Sequence, residues 1–245
     1  KRNDALDDQQ LYRALIGYLK EREQSNTPFF ISMYNLETHA WQDTAAEGIK
    51  YADGKNNALN TIHNLDNAFG KFWLYFKDSS LAENTIVIFT SDHTHFTEKS
   101  YVDAIEKSGQ KDYQKIFIDR IPFIIYDPSR ETPSEYNARY SSSISFTPSL
   151  LHYLGYQDTP NPFVGHSFFA PNQKQEASLA SHGDLDFWID ENKIYGKHEI
   201  SELSKKDQVS FNNSRSFIAK SKEAEVDNRL WKKVETTAHK AMPTI

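Results

Sequence analysis

A chain of 245 residues, 38% hydrophobic and 25% charged, is long enough for one large domain with a core, or for one domain plus an appendage. A net charge of −6 gives no electrostatic footprint for nucleic acid or an anionic membrane surface, and the absence of cysteine excludes a disulfide framework and thiolate chemistry while leaving the compartment open. No apolar stretch approaches the roughly 18 residues a membrane span needs, and the charged opening Lys1-Arg2-Asn3-Asp4, which lacks both a signal sequence and an initiator Met, is expected of a piece of a longer protein.

Leu11, Leu15 and Leu19, spaced by four with Ile16 beside them, predict an amphipathic helix over Asp8 to Glu23, ended by Asn26-Thr27-Pro28. Phe29 to Tyr34 then reads as a short buried strand, followed by the chemically dense loop Asn35 to Trp41. A long helix is expected from about Tyr51 to Asp78, where Leu59, Ile62, Leu65, Phe69, Phe72 and Phe76 recur at threes and fours and read as core. Thr85 to Ser91 is rich in β-branched residues and short enough for a strand buried on both faces; it stops abruptly at Asp92-His93. Helix and strand alternate to this point, as in a parallel sheet covered by helices.

Asp103 to Lys115 is polar and reads as surface, and Ile121 to Tyr126 as a further strand with its Pro near the start. Pro148 suits the first turn of a helix from about Thr147 to Leu154, with Gly155 just past its end, and Gln157 to Pro162 is a loop. Beyond about residue 172 the character changes. Ala177 to Ala180, Asp186 to Ile189 and Lys193 to Tyr195 read as short antiparallel strands, with a turn at Asp190-Glu191-Asn192, and a charged helix is expected from about Ser214 to Ala241.

Ligands in open α/β sheets gather at the carboxyl ends of the strands. Asp92 and His93 stand at one such end, where they read either as half a metal site or as a solvated strand cap. A carboxylate and an imidazole together suit Zn²⁺ or Mn²⁺ better than Ca²⁺. His39 lies in the loop after another expected strand, beside Glu37, Thr38 and Trp41, and is a candidate for the same ligand or for a loop hydrogen bond. His95 is a candidate third ligand or acid–base group, with a surface role as the alternative, and His166 is a weaker candidate. There is no glycine-rich phosphate loop, no GxSxG elbow and no HExxH.

Four segments in order resemble the sulfatase-like branch of the alkaline phosphatase superfamily. They are Pro28-Phe29-Phe30-Ile31 through Glu37-Thr38-His39; Asn57 through Gly70 with Leu81-Ala82-Glu83-Asn84-Thr85; Thr90-Ser91-Asp92-His93; and Ile121 to Tyr126 with Ser145 to Leu151 and Gly165 to Phe169. The likeness covers roughly residues 5 to 170 and lies nearest to lipoteichoic acid synthases and related phosphoglycerol or phosphoethanolamine transferases, membrane-anchored enzymes with outward-facing catalytic domains. It implies an α/β fold with a mainly parallel sheet flanked by helices, here the C-terminal part of the catalytic domain over residues 1–171, with a small α+β subdomain over 172–245.

It also implies Asp92 and His93 as ligands of one Mn²⁺ or Zn²⁺, and His39 as the residue that binds the substrate's phosphate or sulfate oxygens or donates a proton to the leaving group. His95 is a further substrate-binding candidate. The substrate is then a phosphodiester lipid headgroup or a sulfate ester, and the native setting the periplasmic or extracellular face of a membrane. The chain departs from the family in having no identifiable nucleophile: the threonine of the transferases would precede Lys1, and the cysteine signature of sulfatases is absent. The resemblance therefore leads to the expectation of a fragment inactive by itself. A binding or regulatory module that kept the fold and lost the chemistry is the alternative.

Overall fold

The computed structural model describes residues 6–39, 43–95, 97–110, 120–138, 140–156, 163, 165–170, 177–182, 185–191, 193–227 and 229. They form two compact units, residues 1–134 and 135–245. This division falls earlier in the chain than the change of character expected near residue 172.

In the first unit, Asp7 caps helix α1 (Asp8–Arg22) by accepting the Gln10 N–H. Helix α2 (Asn57–Asp78) begins six residues later than expected. Ala52 and Gly54 take positive φ in the turn before it, and the Asn56 side chain then accepts the Leu59 N–H as N-cap. Tyr12 and Leu19 of α1 pack against Ala68, Phe72 and Phe76 of α2, and Leu81 and Ala82 of the following 3₁₀ turn close that core. Strand β1 (Val87–Thr90) lies against it through Val87 and is half-buried rather than buried on both faces. Helix α3 (Lys99–Ser108) overlaps the start of the polar stretch expected to be surface; none of its residues is buried, and Gly109 ends it at φ 74°. Strand β2 (Phe123–Tyr126) pairs antiparallel with β1, Val87 opposite Tyr126 and Thr90 opposite Phe123.

Two expectations change here. Phe29 to Tyr34 is no buried strand: it joins no ladder among the described residues, and Phe30 is 80% exposed. Phe29 and Met33 pack on the α1–α2 core, and hydrophobic contact alone does not supply the backbone partner a strand needs. The α/β class stands, but every ladder among the described residues is antiparallel.

In the second unit, helix α4 (Phe146–Tyr153) carries Pro148 in its first turn. The buried Ser149 hydroxyl donates to the Ser145 carbonyl and accepts the Phe168 N–H. Gly165, at φ 99°, lies so close to the Ile144 carbonyl that an added Cβ would sit 2.7 Å from its oxygen. Strands β3 (Ala177–His182), β4 (Leu185–Asp190) and β5 (Ile194–Gly196) form the expected antiparallel meander. The turn between β4 and β5 is closed by Asp190, whose carboxylate accepts the Lys193 N–H; Asn192 lies outside the described residues, as does the expected loop 157–162. Helix α5 (Lys205–Val226) starts earlier than expected because Ser204 caps it, accepting the Asp207 N–H. Its expected continuation to Ala241 lies outside the described residues apart from 227 and 229. Leu179, Trp188, Leu203 and Phe211 make this unit's core. No helix among the described residues is long and apolar enough to cross a membrane.

Candidate functional site

The chain leaves β1 through a short turn that its own polar groups hold. The Thr90 hydroxyl donates to the Pro122 carbonyl at 2.9 Å, fixing the strand end to the entrance of β2. The Ser91 hydroxyl donates to the His93 carbonyl at 2.7 Å, and the Asp92 Oδ1 accepts the His93 N–H at 2.9 Å. The turn therefore presents both side chains on the same side, 48% and 41% exposed for Asp92 and His93, with Asp92 Oδ2 3.6 Å from His93 Nε2.

His93 Nδ1 lies 2.6 Å from the Thr94 carbonyl oxygen. A carbonyl only accepts, so Nδ1 is the donor in this contact, which leaves Nε2 as the nitrogen that could bind a cation. A backbone carbonyl on the distal nitrogen is the partner that metal-bound histidines commonly have. The donor set thus fits a divalent cation: a carboxylate oxygen and an imidazole nitrogen converge, and the tautomer suits ligation. Among the described residues no group of three His, Asp or Glu comes together as a fuller metal cluster.

Tyr34 joins this site, which its place in an apolar run did not signal. Its hydroxyl donates to Asp92 Oδ2 at 2.7 Å, and that bond, with burial second, raises the phenol above its usual range. The segment 29–34 is thereby tied to the β1 turn although it shares no ladder with it. His39 follows five residues on, exposed at a turn closed by its own N–H on the Leu36 carbonyl at 3.1 Å. His95 stacks on Tyr101 of α3, ring centroids 3.9 Å apart and 24° from parallel. In the second unit, the His166 N–H donates to the Ser145 hydroxyl at 3.4 Å.

Beneath the His39 loop lies a buried polar network. Glu37 Oε2 accepts the Asp8 N–H at 3.0 Å and the Asn64 side-chain amide at 2.6 Å, while Oε1 accepts the Ala45 N–H at 2.9 Å. Asn64 Oδ1 accepts the Ile49 N–H at 2.9 Å and the Gln9 amide at 3.0 Å. Asn60 accepts the Tyr51 N–H and donates to Asp43 and to the Gly54 carbonyl. One signal for this network was available: residues 60, 64, 68, 72 and 76 are spaced by four and form one stripe of α2. Asparagines heading a stripe that continues as Ala68, Phe72 and Phe76 must be buried with partners.

The Sulfatase family model matches residues 2–156, well over half of the chain, and the chain belongs to the sulfatase family, a family of sulfatase-like ester hydrolases and transferases. Among its relatives, lipoteichoic acid synthase 2 of Bacillus subtilis is 22% identical over 239 residues, covering 94% of this chain and 36% of that protein. Lipoteichoic acid synthase 1 of the same organism is 26% identical over 161 residues, covering 62% of this chain and 24% of that protein. The chain thus spans about a third or less of the length of the curated relatives it matches. A sulfatase from a core genetic locus for metabolism of multiple glycosaminoglycans in Bacteroides thetaiotaomicron shares the fold, with a TM-score of 0.50 at 14% identity, over 91% of this chain and 62% of that one.

Proposed function

We propose that this chain carries part of the active site of a metal-dependent enzyme that transfers a phosphoryl headgroup or hydrolyses a phosphate or sulfate ester. The single observation that supports it most is the convergence of Asp92 Oδ2 and His93 Nε2 at 3.6 Å on the end of β1, with the His93 tautomer set for ligation. Asp92 and His93 hold the cation, Mn²⁺ or Zn²⁺, and Tyr34 orients the Asp92 carboxylate. When bound, the cation supplies Lewis acidity toward the ester oxygens and lowers the pKa of a bound hydroxyl. His39, exposed on its anchored loop, binds the substrate's non-bridging oxygens or gives a proton to the leaving group. His95, held against Tyr101, is a second contact for the substrate.

The nucleophile comes from sequence outside these 245 residues, so this chain alone turns nothing over. The names of the relatives favour a phosphodiester on a lipid headgroup over a sulfate ester. The native setting is then the outer face of a membrane, with an anchor elsewhere in the polypeptide.

The test is turnover of a glycerophosphodiester by the whole polypeptide that carries these residues, with added Mn²⁺ or Zn²⁺. His39→Ala should lose about 10²- to 10⁴-fold, the span of a lost acid–base group. Asp92→Asn should lose at least as much, by emptying the cation site. Turnover unaffected by Asp92→Asn would remove Asp92 from the active site, and no turnover by the whole polypeptide with added Mn²⁺ or Zn²⁺ would leave a binding module on a sulfatase fold.

A further inference from the structure

Asp8 opens α1 with its side chain wholly inside the protein, 0% exposed; no donor meets its carboxyl oxygens in full hydrogen-bonding geometry, and the Asn35 amide, its own nitrogen otherwise unpaired, is the side-chain donor that faces them. A buried carboxyl with a single, poorly aligned donor has little to stabilise a negative charge. Beside it stands Glu37, all of whose hydrogen-bond partners are donors: the Asp8 N–H, the Ala45 N–H and the Asn64 amide. Glu37 thus faces only donors at the N-terminus of α1, where free amides and the helix dipole favour a carboxylate. A second negative charge on the Asp8 carboxyl would face the first in a dry site, and two carboxylates that share a site do not both ionise readily.

We infer that the buried Asp8–Glu37 carboxyl pair is a positioning device for the loop that carries His39, and that it holds the loop only while the pair bears a single negative charge. The anchors bracket the loop. Glu37 is two residues before His39, and Ala45, whose amide it grips, is six residues after it. Asn64 adds a third point, because it binds Glu37 with its amide and the Ile49 N–H with its oxygen.

Burial first, then Glu37, then Asp7 push the Asp8 carboxyl up to about 7, with the neighbouring Asn35 amide acting the other way. The remaining groups that face Asp8 do not offset this. Tyr12, on the same helix, is itself pushed up to about 12 by burial and by Asp8. α2 offers the neutral Asn64, and its cation Lys71 is engaged by the Gln9 side-chain oxygen at 2.8 Å. Loss of the Asp8 proton thus sets two anions against each other across the Asp8 N–H···Glu37 bond. Glu37 is then drawn away from its donors, the N–H of the buried Ala45 among them.

The importance of the loop for chemistry rests on the role proposed for His39; the anchoring does not, and its test uses no turnover. The experiment is carboxyl ¹³C NMR of the purified 245-residue chain, together with amide exchange at Asp8, Ala45 and Ile49 corrected for the intrinsic pH dependence. The Asp8 carboxyl should titrate near 7, and protection at Ala45 should fall by about tenfold or more between about pH 5 and about pH 9. In Asp8→Asn that pH step should vanish while protection at low pH is kept. In Glu37→Gln the Asp8 titration should move down, because the facing charge is gone. An Asp8 that titrates in the ordinary carboxylate range, or a pH step at Ala45 that survives Asp8→Asn, overturns the inference. If Asp8→Asn does not fold, the wild-type titration and its shift in Glu37→Gln decide the matter.

Discussion

Two polar regions of the first unit stand in contrast. Asp92 and His93, at the end of β1, are nearly half exposed and bonded mostly to their own turn. Asp8, Asn60 and Asn64 are fully buried, and the two asparagines bond to groups from α1, the 43–54 loop and Glu37. The first set has chemistry to offer and little structural duty; the second has no reactive role and holds the loops in register. The contrast teaches that Glu37 and Ala45, on either side of His39, are joined through a side chain and not by a strand ladder among the described residues. The segment before Glu37, Phe29 to Tyr34, is held by contacts of Phe29 and Met33 with the core and by one hydroxyl on Asp92.

The contrast can be broken most forcibly at Asn64. Asn64→Leu keeps the heavy-atom count but strips Glu37 of its 2.6 Å donor and leaves the Ile49 N–H without an acceptor, while the Gln9 amide keeps the residue-64 carbonyl and Asn67. Stability should fall by about 3 kcal/mol or more in a urea titration, since each buried group left unpaired costs about 1–3 kcal/mol. A change below about 0.5 kcal/mol would mean the network is ornamental.

The pH dependence sharpens the same comparison. Asp8 has a folded-state pKa of about 7, above its ordinary 3.8. Its contribution to stability is therefore fully present below about 3.8, is lost as the pH rises to about 7, and changes no further above that. Over this window the slope should reach on the order of 1 kcal/mol per pH unit and be absent in Asp8→Asn. A wild-type slope that matches that of the variant would place the buried charge elsewhere. The smallest effect belongs to the exposed region: Asp92→Asn should shift stability by less than about 0.5 kcal/mol, because an exposed carboxylate is replaced by a near-isostere.

Much of this frame was legible from residue patterns. Leucines spaced by four marked α1, the β-branched run marked β1, and Pro148 and Gly155 bracketed α4. The placement of Asp92 and His93 just past the end of β1 was legible because the β-branched run stops abruptly at that pair. Phe29 to Tyr34 was misread because its apolar content satisfies a strand pattern, while strand formation depends on a backbone partner that composition does not reveal. Tyr34 was missed for the related reason that its hydroxyl reaches a residue 58 positions away. The starts of α2 and α5 were set by caps, Asn56 and Ser204, that lie outside the apolar periodicity.

The most direct test of the central claim is the metal content of the whole polypeptide, purified without chelator, in the wild type and in the Asp92→Asn/His93→Ala double variant. The account predicts about one equivalent of Mn²⁺ or Zn²⁺ per chain in the wild type, and its loss from a folded variant, since both donors are removed at once. Equal metal content in the two proteins, or none in either, would contradict it.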